Sequence, residues 1–114
     1  MLGLKLVGPL TVKEVERVIF RTVSSHPQFE VNYRTWLEED HSYFVRKRGD
    51  PPLILGLIQV FSLPEMAAEL EFTPFDPEGE SFVQEDFDGY AQLLESELEP
   101  EGFGGIMKIS APAG

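Results

Sequence analysis

The sequence predicts an α+β domain, a two-layer sandwich in which two main helices pack on a largely antiparallel sheet of four to six strands. Three observations carry this. Apolar residues recur at helical spacing in one segment near each end, the stretch between them alternates with a period of two, and Gly and Pro punctuate the boundaries. The predicted order is β-α-β-β-β-β-α, with an optional final strand.

Leu2, Leu4 and Leu6 alternate with Gly3, Lys5 and Val7, the pattern of a short strand that Gly8-Pro9 terminates. Thr11-x-x-Glu14 has the spacing of a capping box, in which each side chain satisfies an orphan backbone donor of the first turn. Leu10 and Val15 stand at the positions of a hydrophobic staple. With Val12, Val15, Ile19 and Val23 at helical spacing, they predict a helix over 11–25. His26-Pro27 ends it, since proline disfavours helical geometry in the residue before it. His26 is then at a helix C-terminus, where its ring can meet unsatisfied carbonyls.

From Gln28 the pattern changes to period two, with Phe29, Val31, Tyr33, Thr35 and Leu37 on one side. Glu38-Glu39-Asp40-His41 reads as a turn and 42–48 as the returning strand of a hairpin. After Gly49-Asp50-Pro51-Pro52, the run Leu53 to Phe61 is apolar on both faces, which fits a central strand or one at a dimer interface. Residues 62–72 support two readings. Ser62-x-x-Glu65 could cap a short helix, but Met66, Ala68, Leu70 and Phe72 alternate cleanly with Ala67, Glu69 and Glu71, and the strand is preferred.

Pro74, Pro77 and Gly79 mark 73–80 as a loop. Ser81-x-x-Gln84 then opens a second helix with Val83, Phe87, Tyr90, Leu94 and Leu98 as its apolar stripe, until Pro100 and Gly102 close it. Gly89 interrupts that helix at a cost of about 1 kcal/mol relative to Ala. Residues 106–109 form the optional last strand. The domain is expected to span 1–110, with 111–114 as a flexible C-terminal tail.

At 114 residues the chain has room for one core. The opening segment lacks the features of a signal peptide, and no apolar run approaches the ~20 residues that span a bilayer. A cytoplasmic location is expected, with no membrane contact. Without cysteine there are no disulfides, thiolate nucleophiles or cysteine metal sites.

Charge is the most distinctive feature. The net charge is −11, but residues 1–48 hold eight of the nine basic groups and only six acidic ones. Residues 49–107 hold 14 acidic groups and no Lys or Arg. A nucleic-acid surface needs a broad positive footprint, so direct nucleic-acid binding is not expected. The one basic cluster, Arg46-Lys47-Arg48, is expected to be neutralised by second-half carboxylates or solvated.

Motifs with chemical content are weak. Gln84 to Glu95 resembles a calcium-loop pattern at Asp86, Asp88, Gly89 and Glu95, but it has Gln at the first position and lies within the predicted helix. Asp40-His41-Ser42 contains the residue types of a hydrolase triad, yet adjacency argues against one, because triads assemble through tertiary geometry. No phosphate-binding loop or dinucleotide fingerprint is present, and no cofactor is indicated.

Three functional readings follow. In the first, a negative face meets a basic partner protein, using Asp76, Glu78, Glu80, Glu85, Asp86, Asp88 and Glu95, with Trp36 as a candidate anchor unless it lies under the second helix. In the second, Tyr33, Trp36, Tyr43, Phe72, Phe75 and Tyr90 line a small-molecule pocket containing Glu69 or Glu71, as in a small enzyme. In the third, the acidity serves solubility alone and the 53–61 strand is central or pairs in a homodimer.

Overall fold

A computed structural model describes residues 2–34, 41–49, 52–74 and 84–110, with the backbone alone for Leu2 and 104–110. The elements run β1 (Leu2–Gly8), α1 (Val12–Ser25), β2 (Phe29–Tyr33), β3 (Ser42–Lys47), β4 (Leu53–Leu63), β5 (Ala67–Pro74), α2 (Gln84–Leu98), a 3-10 turn (Glu99–Glu101) and β6 (Gly104–Ser110). The strands form one six-stranded sheet in the order β2-β3-β4-β5-β1-β6. Every described pairing is antiparallel. The predicted α+β order is observed, and the optional last strand is present.

Local chemistry explains most boundaries. Thr11 caps α1, its hydroxyl accepting from the Glu14 amide while the Glu14 carboxylate accepts from the Thr11 amide. At the other end the His26 ring donates from Nδ1 to the Thr22 carbonyl at 3.1 Å, the role its position implied. The segment 62–72 differs in detail from expectation. Ser62 and Leu63 belong to β4, Pro64–Met66 form the turn, and β5 begins at Ala67, so no short helix forms. Met66 therefore does not continue the buried row of Ala68, Leu70 and Phe72, but stands 72% exposed at the hairpin tip. Both Glu65 (φ 63°) and Met66 (φ 61°) adopt left-handed geometry, where a Cβ crowds the following carbonyl.

Strand β4 is apolar on both faces, as its sequence reads, and it carries a bulge. Val45 pairs with Gly56 and Arg46 with Ile54, leaving Leu55 as the extra residue, and its side chain is fully buried. Leu55 and Gly56 thus follow each other on the inner side. A Cβ at Gly56 would stand 2.5 Å from the Phe72 ring and 2.6 Å from the Thr73 carbonyl, so only glycine fits.

Both helices cover the same face of the sheet. Phe20 of α1 packs on Tyr43, while Phe87 of α2 stacks on Phe72 with centroids 4.2 Å apart and planes 8° from parallel. Tyr90 meets the edges of Phe29 and Phe72, and its hydroxyl is 3.0 Å from that of Thr22, a buried polar link between the helices. Among the described residues no helix lies on the other face, and no helix is long and apolar enough to cross a membrane.

Two outcomes follow. Burial pushes the Tyr90 hydroxyl up to about 12, only partly opposed by its bond with Thr22. An unfolded tyrosine titrates near ~10, so above that pH the unfolded chain loses a proton that the folded one retains. Stability is therefore intact below pH ~10 and falls towards pH ~12, by on the order of 2–3 kcal/mol. Urea unfolding across this window should show the fall, and Tyr90→Phe should flatten it at a neutral-pH cost of about 1 kcal/mol. An equally steep fall in that variant would assign the effect elsewhere. At the hairpin tip, Met66→Gly should raise stability by about 0.5–1 kcal/mol in the same assay, because glycine adopts left-handed geometry without steric cost.

Candidate protein-interaction face

Four of the predicted interaction residues, Trp36, Asp76, Glu78 and Glu80, lie outside the described residues, as do the 111–114 tail and Phe75. The other four lie on α2. With ~100° between successive residues, the buried stripe of Phe87, Tyr90, Ala91, Leu94 and Leu98 fixes where every other side chain emerges. Asp86 and Glu97 emerge on the flank that faces α1 and β3. Asp88 and Glu95 emerge on the opposite flank, continued by Glu99 of the 3-10 turn, while Glu85, Gly89 and Gln92 stand furthest from the core.

The first flank is spent internally. Lys47 Nζ is 3.0 Å from Asp86 Oδ1, and Arg21 reaches Glu97 at 3.0 Å and Glu101 at 3.7 Å. Asp86 thus has a cation partner within the molecule, unlike the other predicted acids of α2. On the sheet, Lys5 meets Glu69 at 3.0 Å, and this hydrogen bond, with the attraction of the same carboxylate, raises the Lys5 pKa above its ordinary value. Each of these pairs joins a base from the first half of the chain to an acid from the second. Folding therefore brings some bases of the first half beside acids of the second.

The second flank is not spent. Among the described residues, Glu85, Glu95 and Glu99 form no ion pair, and Asp88 accepts only the Gln84 amide at 2.8 Å. An open groove of about 570 Å³ runs from the first flank across the outward face of α2 to Asp88, lined by Phe29, Glu85, Asp86, Asp88, Gly89 and Gln92. A Cβ at Gly89 would meet nothing within 4 Å, so internal packing does not require this glycine. Residues 84–95 are continuous α-helix, and Asp86 and Asp88 project to opposite flanks. The segment cannot wrap an ion as a calcium loop does.

Other sequence candidates are dispersed. Tyr43, Phe72 and Tyr90 are fully buried and packed ring on ring, while Glu69 and Glu71 belong to the opposite face of the sheet, so these residues do not line a common pocket. His41 and Ser42 use their backbone carbonyls to accept from Val60 and Arg34. One cluster was not anticipated: the Glu16 carboxylate accepts from the hydroxyls of Tyr33 and Tyr43, with Phe20 against both rings. The bond to Glu16 raises the Tyr33 pKa. Centroids 5.4–6.0 Å apart leave no room between these rings for a ligand. Alternation placed Tyr33 inward but did not reveal the helical carboxylate that receives it.

No protein-family model matches the chain, and no curated protein matches it. The chemistry of this face is therefore argued from its own residues. Since Gly89 has open space around it, Gly89→Ala should stabilise the protein by about 0.8–1 kcal/mol in urea unfolding. A destabilising result would mean that the helix needs the glycine for its own geometry.

Proposed function

We propose that this chain is a small acidic protein-binding module that meets a basic partner protein through the outward and far faces of α2. The observation that carries this reading is the division of the α2 carboxylates. Asp86 and Glu97 have cation partners within the molecule, whereas Glu85, Asp88 and Glu95 have none among the described residues. Unpaired carboxylates on a rigid helix are held in fixed positions for matching cations to meet. They also steer a positively charged surface during encounter, raising association rate and selectivity more than raw affinity. Gly89 and the adjoining groove would let a lysine or arginine stem approach the helix backbone closely.

Affinity purification at low salt, eluted stepwise from about 0.05 to about 0.5 M salt, tests this, because screening over that range shortens the Debye length severalfold. The expected result is a basic protein released by salt and retained about tenfold less by the combined variant Glu85→Gln, Asp88→Asn, Glu95→Gln. Glu97→Gln, at a carboxylate engaged by Arg21 and outside the groove, should retain it undiminished. Equal retention by the combined variant, or no salt-released protein at all, would remove the reading.

A further inference from the structure

We propose that the tip of the β4–β5 hairpin is a self-association site, where Met66 from each of two copies of this chain enters the apolar groove that borders Met66 of the other. The residues involved belong to α1, β4, β5 and the connections beside them, so the inference is independent of the α2 reading.

The first observation is the groove itself. It lies between the start of α1 and the hairpin tip, has a volume of about 530 Å³, opens to solvent and is walled mostly by carbon. Val12 and Lys13 form the α1 side and Leu63, Met66 and Ala67 the hairpin side, with His41, whose carbonyl accepts from the Val60 amide, beside them. Met66 borders this groove without filling it, since it is 72% exposed.

The second observation is the backbone that presents Met66. Glu65 and Met66 are both left-handed, at φ 63° and 61°, a conformation that glycine adopts without steric cost and other residues do not. Residues held in this way concentrate at contacts that use them. Methionine is also the apolar side chain that adapts most readily to an irregular surface, and adaptable binding surfaces are rich in it.

Charge identifies the occupant. Lys13 stands on the α1 side and Glu65 precedes Met66 on the hairpin side, and among the described residues neither forms an ion pair. A basic segment docking here would oppose Lys13, and an acidic one would oppose Glu65. A second copy meets each with the opposite sign. As Met66 of one copy enters the groove of the other, Glu65 is carried with it towards the Lys13 side, and two-fold symmetry repeats the contact in reverse. Such an isologous contact needs one self-complementary patch, and here the protruding side chain and the groove that receives its counterpart are neighbours. The groove has eight lining residues, far fewer than the ~20–30 a side of a standard interface, so the association is weak.

Sedimentation equilibrium at about 0.15 M salt, where repulsion between the acidic chains is screened beyond ~8 Å, provides the test. Over about two decades of concentration, up to about 1 mM, the wild-type mass should rise from the 12.9 kDa of the chain towards twice that value. Met66→Gly relieves the left-handed strain, so it should unfold at higher urea than wild type and yet dimerise at least about tenfold more weakly. A gain in stability joined to a loss of association separates a contact role from a structural one. Lys13→Glu and Glu65→Lys, made singly, each set like charges across the contact twice and should weaken the dimer about tenfold. The double variant exchanges the two charges and should return dimerisation to within about threefold of wild type. A monomer throughout the range would overturn the proposal and leave the groove to a partner of another sequence. Dimerisation of Met66→Gly at wild-type strength would also overturn it, as would a double variant as weak as the singles.

Discussion

Phe72 lies against Phe87 in a parallel stack and against Tyr90 edge-on, and this three-ring contact fixes the rotation of α2 about its own axis. Space for it exists because Gly56, on the neighbouring strand, has no Cβ to strike the Phe72 ring. Once that rotation is set, the remaining side chains of α2 have no freedom in where they emerge. Asp86 arrives over Lys47, Glu97 arrives beside Arg21, and Tyr90 presents its hydroxyl to Thr22. The division of carboxylates into paired and unpaired flanks is thus a consequence of aromatic packing beneath the helix. Large aromatic surfaces supply the energy, and the charges follow the geometry they impose.

The pairing pattern changes what the acidity means. A chain with its bases in one half and its acids in the other would form a strong dipole if the halves were separate lobes. Here β1 lies between β5 and β6, and α1 lies beside α2, so the two halves interleave within both layers. Long-range contacts of this kind bring Arg21 to Glu97 and Lys5 to Glu69 across more than sixty residues of sequence. Exposed pairs like these add little stability individually, but they decide which carboxylates remain available to another molecule.

Elements with strong local signals were legible in the sequence. The capping box, the stop at His26-Pro27 and the stripe from Phe87 to Leu98 each correspond to an observed feature, because each depends on residues within a few positions of one another. The hairpin tip at Pro64–Met66 was less legible, since neither Glu65 nor Met66 favours the left-handed backbone they adopt there. The pairing of Asp86 with Lys47 was not legible, because periodicity cannot say which flank of a helix will meet a cation from another strand. The same limit hid the Glu16–Tyr33–Tyr43 cluster, whose members come from three elements. Trp36 and the acids of 76–80 remain as the sequence alone presents them.

The bulge at Leu55 has a consequence for how this protein can change over evolutionary time. Before it, even-numbered Ile54 points away from the helices; after it, odd-numbered Leu57 and Phe61 do so. The strand therefore contains a reading-frame shift in its side-chain alternation, and the two halves of β4 are read in opposite phase. A single-residue deletion at this point would erase the shift and turn one half of the strand inside out relative to its neighbours, whereas substitutions of similar size would leave both phases intact. A length change in β4 is accordingly expected to disturb the sheet more than an apolar substitution of similar size at the buried Leu55.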